Sequence, residues 1–533
     1  MNYASTKAPL SPDANHYPTT PYRANRRISK LTQSNNNFYQ AFAHQFKSQA
    51  EKCLLVSQDN VSYSYAGIEQ ESARLANYLC ELGAESGDRV SVQVEKSPQA
   101  FCLYLACLRA GLVFHPLNPA YQTSELEYFL NNAEPSVVIC DSAKLDSLKP
   151  IVASENIHHL LTLNADGSGS LIEKSLSCAT EFMCVSRAAD DMAALLYSSG
   201  TTGVPKGIML THNNLSSNAQ ALVEAWGFTS NDRLLHALPI FHVHGLFVGL
   251  GCVLMSGASM RWLPAFDSTS VIKYLPESTV LMGVPTYYTR LLGDPKFTRE
   301  LTDNIRLFVS GSAPLLEETF AQFEQRTGQR ILERYGMTET NMNSSNPLLG
   351  ERKAGTVGLA LPGVEIRITD ENNNSLAQGE IGNLQVRGPN VFKGYWKLPE
   401  KTTEDFTDDG YFNTGDKGKI DQRAYVSIVG RTKDVVITGG LNVYPKEVEL
   451  IIDDIDGVKE SAVIGIPHAD FGESVVAVVV AESDRKISEA DVISHTKAQL
   501  ANFKIPKKVV FVNELPRNTM GKVQKNVLRG EHS

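Results

Sequence analysis

From residue 38 onward the chain alternates two hydrophobic periods, and this constrains its fold more than any single motif. Residues 89–94 (RVSVQV) form a short run rich in β-branched side chains, residues 98–110 (PQAFCLYLACLRA) carry a helical pattern, and residues 136–140 (SVVIC) are strand-like again. Strands separated by helices are not hairpin partners, so the layers predicted are α/β with a largely parallel sheet. No repeat with a period of ~20–50 residues is present, which excludes a solenoid. A length of 533 residues allows several folding units.

Composition narrows the functional classes. The chain is 42% hydrophobic and 20% charged with a net charge of −9, the balance of a soluble globular protein. Its acidity opposes nonspecific attraction to a phosphate backbone, so no nucleic-acid partner is expected. The best apolar run, residues 245–255, is far shorter than the ~20 residues that cross a bilayer, so no membrane span is expected. Cys53, Cys80, Cys102, Cys107, Cys140, Cys178, Cys184 and Cys252 show neither CxxC nor zinc spacing. They read as buried, reduced thiols of a cytoplasmic protein. The first 37 residues differ in kind, with prolines at 9, 12, 18 and 21 and five cations against the single acid Asp13. A mitochondrial transit peptide, with a matrix location, would share that charge bias. The prolines oppose its amphipathic helix, so 1–37 is expected to be a disordered tail.

Glycine-rich junctions at 355–363 and 430–440 bracket short strands at 365–369, 382–387 and 424–429, a β-barrel-like stretch. Beyond them Pro445 suits the first position of a helix, and Val448, Ile451, Ile452 and Ile455 follow at helical spacing. Strands at 461–466 and 474–481 and a helix at 488–500 complete a small α+β unit. The expected division is a large domain over 38–432 and a small mobile one over 433–533.

The most informative segment is 195–207, LLYSSGTTGVPKG. An apolar strand enters a loop of small hydroxyl and glycine residues (Ser198, Ser199, Gly200, Thr201, Thr202, Gly203) whose N–H and O–H groups can surround a polyphosphate, with Lys206 supplying charge. It is not a Walker A loop, because Gly207 follows the lysine where Ser or Thr is required. Further segments follow in order: SGSAPL at 310–315, RYGMTET at 334–340, YFNTGD at 411–416, GRTKD at 430–434 and PRNTMGK at 516–522. In this set and order the chain resembles the adenylate-forming superfamily of acyl-CoA synthetases, peptide-synthetase adenylation domains and luciferases.

That resemblance implies an AMP-forming acid–thiol ligase using ATP, Mg²⁺ and CoA. A carboxylate is a poor electrophile, so it first attacks the α-phosphorus of ATP, and a thiol then displaces AMP. Negative charge must be neutralised where two anions meet, by Mg²⁺ and fixed cations rather than by a protein nucleophile. The family pattern makes Glu339 the magnesium ligand and places Thr201, Thr202 and Lys206 on the β and γ phosphates. It puts Thr338 on the α-phosphate, Tyr335 on adenine and Asp416 on the ribose with Arg431 as helper. Lys522 is the lysine that reaches the α-phosphate and the acyl carboxylate. Lys433 is the hinge about which the small domain turns between half reactions, after which Gly439 and Gly440 would line the pantetheine channel. Lys504, Lys507, Lys508, Arg517, Lys525 and Arg529 read as a solvated basic face near Lys522.

A fatty acid needs an apolar tunnel, whereas a short dicarboxylic acid needs a cation for its second carboxylate, because a buried unpaired carboxylate costs several kcal/mol. LMGVPTYYTRLL places Arg290 five residues after Pro285 on a helix that follows a strand. With LPIFHVHGLFVGL at 238–250, RYGMTETNMNSSNP at 334–347 and PNVFKGYW at 389–396, it resembles the malonyl-CoA synthetase branch, in which an arginine at this place binds the distal carboxylate. The resemblance thus implies malonate as substrate, with Arg290 as its reader, His242 beside the reacting carboxyl group and Ser310 and Ser312 as polar contacts. His244 reads as packing. The alternatives are a CoA ligase for methylmalonate or another short or fatty acid and, from a different class, a nonenzymatic nucleotide-binding relative. The joint presence of Glu339, Asp416 and Lys522 opposes the last.

Overall fold

A computed structural model describes residues 35–532 except 200–204, 439–440, 469–471, 483–484, 486, 501 and 519–520. Residues 1–34, most of the expected tail, lie outside the described residues. Residues 35–37 do not behave as tail: Asn37 is buried, caps the helix Phe38–Ser48, and donates from Nδ2 to the Leu108 carbonyl at 2.6 Å.

The alternation of periods becomes two large sheets. One runs in the order Gly394–Tyr395, Pro205–Thr211, Met192–Ser199, Val113–Pro116, Arg89–Gln93, Val137–Cys140, His159–Thr162, and its last five strands are parallel. The other holds nine described strands, with six parallel neighbours from Leu332–Met337 through Leu307–Ser310, Val280–Gly283, Arg233–His236 and Ser259–Trp262 to Cys53–Ser57. The helix Pro98–Ala110 shows why the pattern folds this way. Ser97 Oγ accepts from the Ala100 N–H at 3.1 Å, Pro98 occupies the first turn, and Gly111 ends the helix at φ +70. Residues 100–110 are all buried, Arg109 through hydrogen bonds to the Glu69 and Phe182 carbonyls, so this helix packs inside the domain. The principal core draws on both sheets, through Val90 and Ile139 of one and Trp262 and Leu332 of the other, and on helix residues such as Phe101 and Trp226. Each such side chain removed from water contributes ~1.5–3 kcal/mol.

The barrel-like stretch is a four-stranded antiparallel sheet, Glu365–Thr369, Gly382–Arg387, Phe412–Ile420 and Val426–Arg431. The last strand starts two residues later than expected and carries Arg431 inside the sheet rather than in the following turn. The C-terminal segment has a sheet of its own built around Val458–His468 and Gly472–Ala481, with the helices Pro445–Asp453 and Glu489–Gln499 and a core of Val436, Val448, Ile452, Val463 and Val479. Among the described residues no helix is long and apolar enough to cross a membrane.

Two expectations are corrected. Cys80 is exposed and Cys53 and Cys184 are only half-buried, although all eight cysteines are unpaired. The basic face is largely neutralised: Lys504 pairs with Glu447, Arg517 with Glu460, Lys525 with Glu449 and Arg529 with Asp434. The strands and helices of the small unit bring acids beside each of these cations, which the one-dimensional charge run does not reveal.

Candidate active site

The polyphosphate loop joins two antiparallel strands, Met192–Ser199 and Pro205–Thr211, with Ser198 opposite Lys206. Gly200, Thr201, Thr202 and Gly203 lie outside the described residues, as does the side chain of Ser199. Ser198 Oγ lies 3.5 Å from Glu339 Oε1. Lys206 Nζ stands 4.3 Å from the Tyr395 ring centroid and 4.0 Å from an Asp405 oxygen, so an aromatic face and a carboxylate hold the cation beside the loop.

Glu339 follows half-buried Thr338 in a turn after the strand Leu332–Met337. Burial raises its pKa, while Arg431, Lys206 and Lys522 oppose the rise. The turn is fixed by buried asparagines: Asn390 Nδ2 donates to the Thr340 carbonyl at 2.7 Å, Asn343 Nδ2 to Thr340 Oγ1 at 2.8 Å, and the Phe392 N–H to the Glu339 carbonyl at 2.7 Å. Sequence reasoning missed this support, because asparagines near prolines read as turn residues. Among the described residues no group of three metal-ligating side chains exists. A lone buried carboxylate beside a phosphate loop suits Mg²⁺, which takes one or two carboxylates together with substrate phosphates.

The antiparallel sheet supplies the next part. Asp416 and Arg431 are register partners, and Arg431 Nε donates to Asp416 Oδ1 at 2.7 Å. The Tyr335 hydroxyl donates to Asp416 Oδ2. Asp416 is therefore held from both sides, and burial together with that carboxylate pushes the Tyr335 pKa far up. Three motifs distant in sequence converge here.

On the other side, the ends of neighbouring parallel strands bring Ser310 and Arg334 close to His242 and His244. Ser310 is fully buried and its hydroxyl has no partner among the described residues, while Ser312 takes the left-handed region at φ +70 with Oγ 3.3 Å from His244 Nδ1. Arg334 is 2% exposed, and its Nε and Nη2 have no hydrogen-bond partner among the described residues. Gly311 makes room for it, since a Cβ there would lie 2.4 Å from Cζ. Burial pushes the Arg334 pKa down to about 9, which leaves it charged at neutral pH. Burial, with Lys522 and Arg334, pushes His242 down to about 3, so its imidazole is neutral, and His244 is likewise lowered by burial and Arg334. Arg334 escaped the sequence reading, although two adjacent charges, Glu333 and Arg334, at the end of an apolar strand are a signal. Arg290 lies exposed on the helix Pro285–Leu292, near enough to oppose the burial-driven rise of Tyr287.

Lys522 closes the site from the small unit. The Gly521 N–H donates to the Asn518 carbonyl at 2.9 Å and the Lys522 N–H to Asn518 Oδ1 at 3.0 Å. A Cβ on Gly521 would come within 3.4 Å of Thr286, which places the loop against the helix that carries Arg290. Lys522 is an exposed residue whose ammonium lies among Arg431, Asp416 and Glu339, and desolvation and Arg431 push its pKa down to about 8 against the two carboxylates. Lys433 is exposed in the short turn Thr432–Asp434 that follows the antiparallel sheet. Gly439 and Gly440 lie outside the described residues.

A buried carboxylate beside Ser198, an Asp–Arg pair with a tyrosine, and a buried arginine near two histidines and Lys522 are the groups expected of an enzyme that activates a small acid with a nucleotide. The chain matches the AMP-binding enzyme family over residues 42–396 and the AMP-binding enzyme C-terminal domain over residues 447–522. It is 33% identical to a malonate–CoA ligase of Arabidopsis thaliana, over 99% of this chain and 95% of that protein. It is also 33% identical to the long-chain-fatty-acid–CoA ligase FadD13 of Mycobacterium tuberculosis, over 89% and 94% of the two chains. The crystal structure of ATP-bound MatB from Rhodopseudomonas palustris superposes with a TM-score of 0.91 at 53% identity, covering 93% of this chain and 99% of that one. The protein belongs to the AMP-binding enzyme family.

Proposed function

We propose that this protein is an ATP-dependent malonate–CoA ligase. A malonate oxygen attacks the α-phosphorus of ATP and pyrophosphate leaves, giving malonyl adenylate. CoA, its thiol proton given up to solvent, then attacks the acyl carbon through sulfur, the bond to AMP breaks, and malonyl-CoA and AMP form. Lys522 and Lys206 neutralise the meeting anions, Thr338 contacts the α-phosphate, and Asp416 with Arg431 and Tyr335 holds the nucleoside. Glu339 would hold Mg²⁺, which when bound screens the phosphate charge. Neutral His242 stands beside the reacting carboxyl group without adding a like charge to Lys522.

The observation that carries this reading is the buried Arg334, whose Nε and Nη2 have no hydrogen-bond partner among the described residues, close to His242 and next to the strand that ends at Ser310. A buried unpaired cation is costly, and a distal carboxylate supplies the missing partner, whereas a fatty chain would leave it unpaired. Exposed Arg290 flanks the entrance as a second reader of the same charge. Similarity to malonate–CoA ligases supports the substrate, and the two-step chemistry supports a pivot at Lys433. Eight unpaired cysteines fit a reducing compartment, and we place the enzyme in the cytoplasm, with the mitochondrial matrix as alternative. Pyrophosphate release by the purified protein on malonate, methylmalonate, propionate and octanoate tests the substrate. Malonate is expected to exceed propionate by ~10²-fold or more in kcat/KM, as for a site that loses a buried charge pair; preference for octanoate would overturn the reading.

A further inference from the structure

Behind the acid recess lies a second group of polar residues that none of the roles above uses. Lys96 precedes the cap of the helix Pro98–Ala110 and is 7% exposed. Its Nζ lies 2.8 Å from His236 Nδ1, 2.8 Å from the His236 carbonyl oxygen and 4.3 Å from the Trp262 ring centroid. No carboxylate is among the partners the structure gives it. The Gly245 carbonyl oxygen, 2.9 Å from Nε2, can only accept, so His236 donates from Nε2 and its Nδ1 accepts from Lys96 Nζ. Gly245 sits in the wide turn His244–Gly249, whose first bond runs from the Leu246 N–H to the His242 carbonyl at 3.0 Å. Two glycines admit the arrangement: a Cβ on Gly245 would fall 2.0 Å from the Pro239 carbonyl oxygen, and one on Gly249 would fall 3.1 Å from His236 Nε2.

We propose that Lys96 and His236 are positioning residues for the acid site. Lys96 fixes the tautomer of His236, His236 anchors the Gly245 carbonyl, and the anchored turn sets His242 and His244 against the substrate. Lys96 comes from the connection that follows the strand Arg89–Gln93 of one large sheet, and His236 ends the strand Arg233–His236 of the other. The relay thus ties the two sheets together at the point where the acid is held. The nucleotide contacts Asp416, Arg431 and Tyr335 lie on other elements, so the relay acts on the acid and not on ATP. Misplacement of a reacting group by about 1 Å from a distant substitution is enough to cost ~10²-fold.

This inference rests on the assignment of the His242 side to malonate, which turnover by the unmodified enzyme tests separately. In the full-length protein Lys96→Met keeps the apolar stem and removes the donor, and His236→Leu removes the relay. Both are expected to raise the KM for malonate by ~10-fold or more while leaving the KM for ATP within about twofold. His236→Gln keeps a donor in reach of the Gly245 carbonyl and is expected to return the malonate KM to within about threefold of the unmodified enzyme. Gly249→Ala keeps a helical backbone but crowds Nε2, and it is expected to reproduce the malonate-specific loss even if the larger changes fail to fold. A parallel change in both KM values, or a folded Gly249→Ala protein with unchanged malonate KM, would overturn the proposal.

Discussion

The guanidinium of Arg334 lies against the backbone of Gly311, so close that a Cβ on that glycine would stand 2.4 Å from Cζ. The small residue and the buried charge are one device, and it leaves Nε and Nη2 buried without a hydrogen-bond partner among the described residues. Arg334→Met fills similar volume without a charge. It is expected to lower kcat/KM for malonate by ~30-fold to several thousandfold, the range for losing one member of a buried charge pair, and to raise the Tm of the free enzyme. Arg290→Ala, at an exposed position, is expected to cost ~10-fold or less on malonate. Propionate lacks the second charge and should be nearly indifferent to both. If malonate and propionate fall together in Arg334→Met, the arginine supports the fold and does not read the substrate.

Asp416 is held by Arg431 at 2.7 Å on one oxygen and by Tyr335 on the other. Arg431→Met leaves the carboxylate anchored on one side only. The loss of a charge-assisted bond, ~1.5–3 kcal/mol, corresponds to a rise of ~10- to 150-fold in the KM for ATP. The KM for malonate should change little. Steady-state titration of each substrate decides, and an ATP KM within twofold of the unmodified enzyme removes Asp416 from nucleotide binding.

Lys522 acts as a cation, and its pKa stands at about 8 in the free enzyme. A cation whose pKa is lowered is charged below that value and neutral above it. Adenylation measured as kcat/KM for ATP is therefore expected to fall as pH rises through about 8, while kcat, which reports the ATP complex, falls at higher pH because the bound polyphosphate favours the charged lysine. Lys522→Arg stays charged throughout and should abolish the alkaline limb in both. Lys522→Ala should lose pyrophosphate release by ~10² or more, with thioester formation from supplied malonyl adenylate less affected. An alkaline limb that survives in Lys522→Arg assigns it to another group.

Much of this was legible in one dimension. The helix Pro98–Ala110 matches its expected bounds because both ends carry strong local signals, Pro98 inside the start and Gly111 just past the end. Strands 365–369 and 382–387 likewise match, because turn residues flank them. The motif residues Asp416, Arg431, Tyr335, Glu339 and Lys522 come together in space. What sequence could not show is which charges are paired and which are buried. Arg529 reads as a solvated cation until Asp434 is found 2.7 Å away. Arg334 reads as motif frame for Tyr335 until its burial is seen. The Lys96 and His236 contact joins a strand of one sheet to the connection that leaves the other, 140 residues apart in sequence, which no local period encodes.

Glu333, the neighbour of Arg334, carries the last expectation. Its carboxyl group is buried, accepts from the Leu315 N–H at 3.1 Å, and has its pKa pushed up to about 8 by burial. In the unfolded chain a glutamate ionises near ~4.3. Between these two values the folded state binds more protons than the unfolded one, so stability falls as pH rises from about 4 to about 8 and levels off above. Glu333→Gln cannot ionise and keeps an oxygen for the Leu315 N–H. Its Tm should match that of the unmodified protein near pH 5 and exceed it by ~2–4 °C at pH 8. Thermal melts at the two pH values make the comparison. A Tm difference independent of pH, or a less stable Glu333→Gln protein at pH 8, would show that Glu333 is held ionised by its cationic neighbours Lys446 and Arg334.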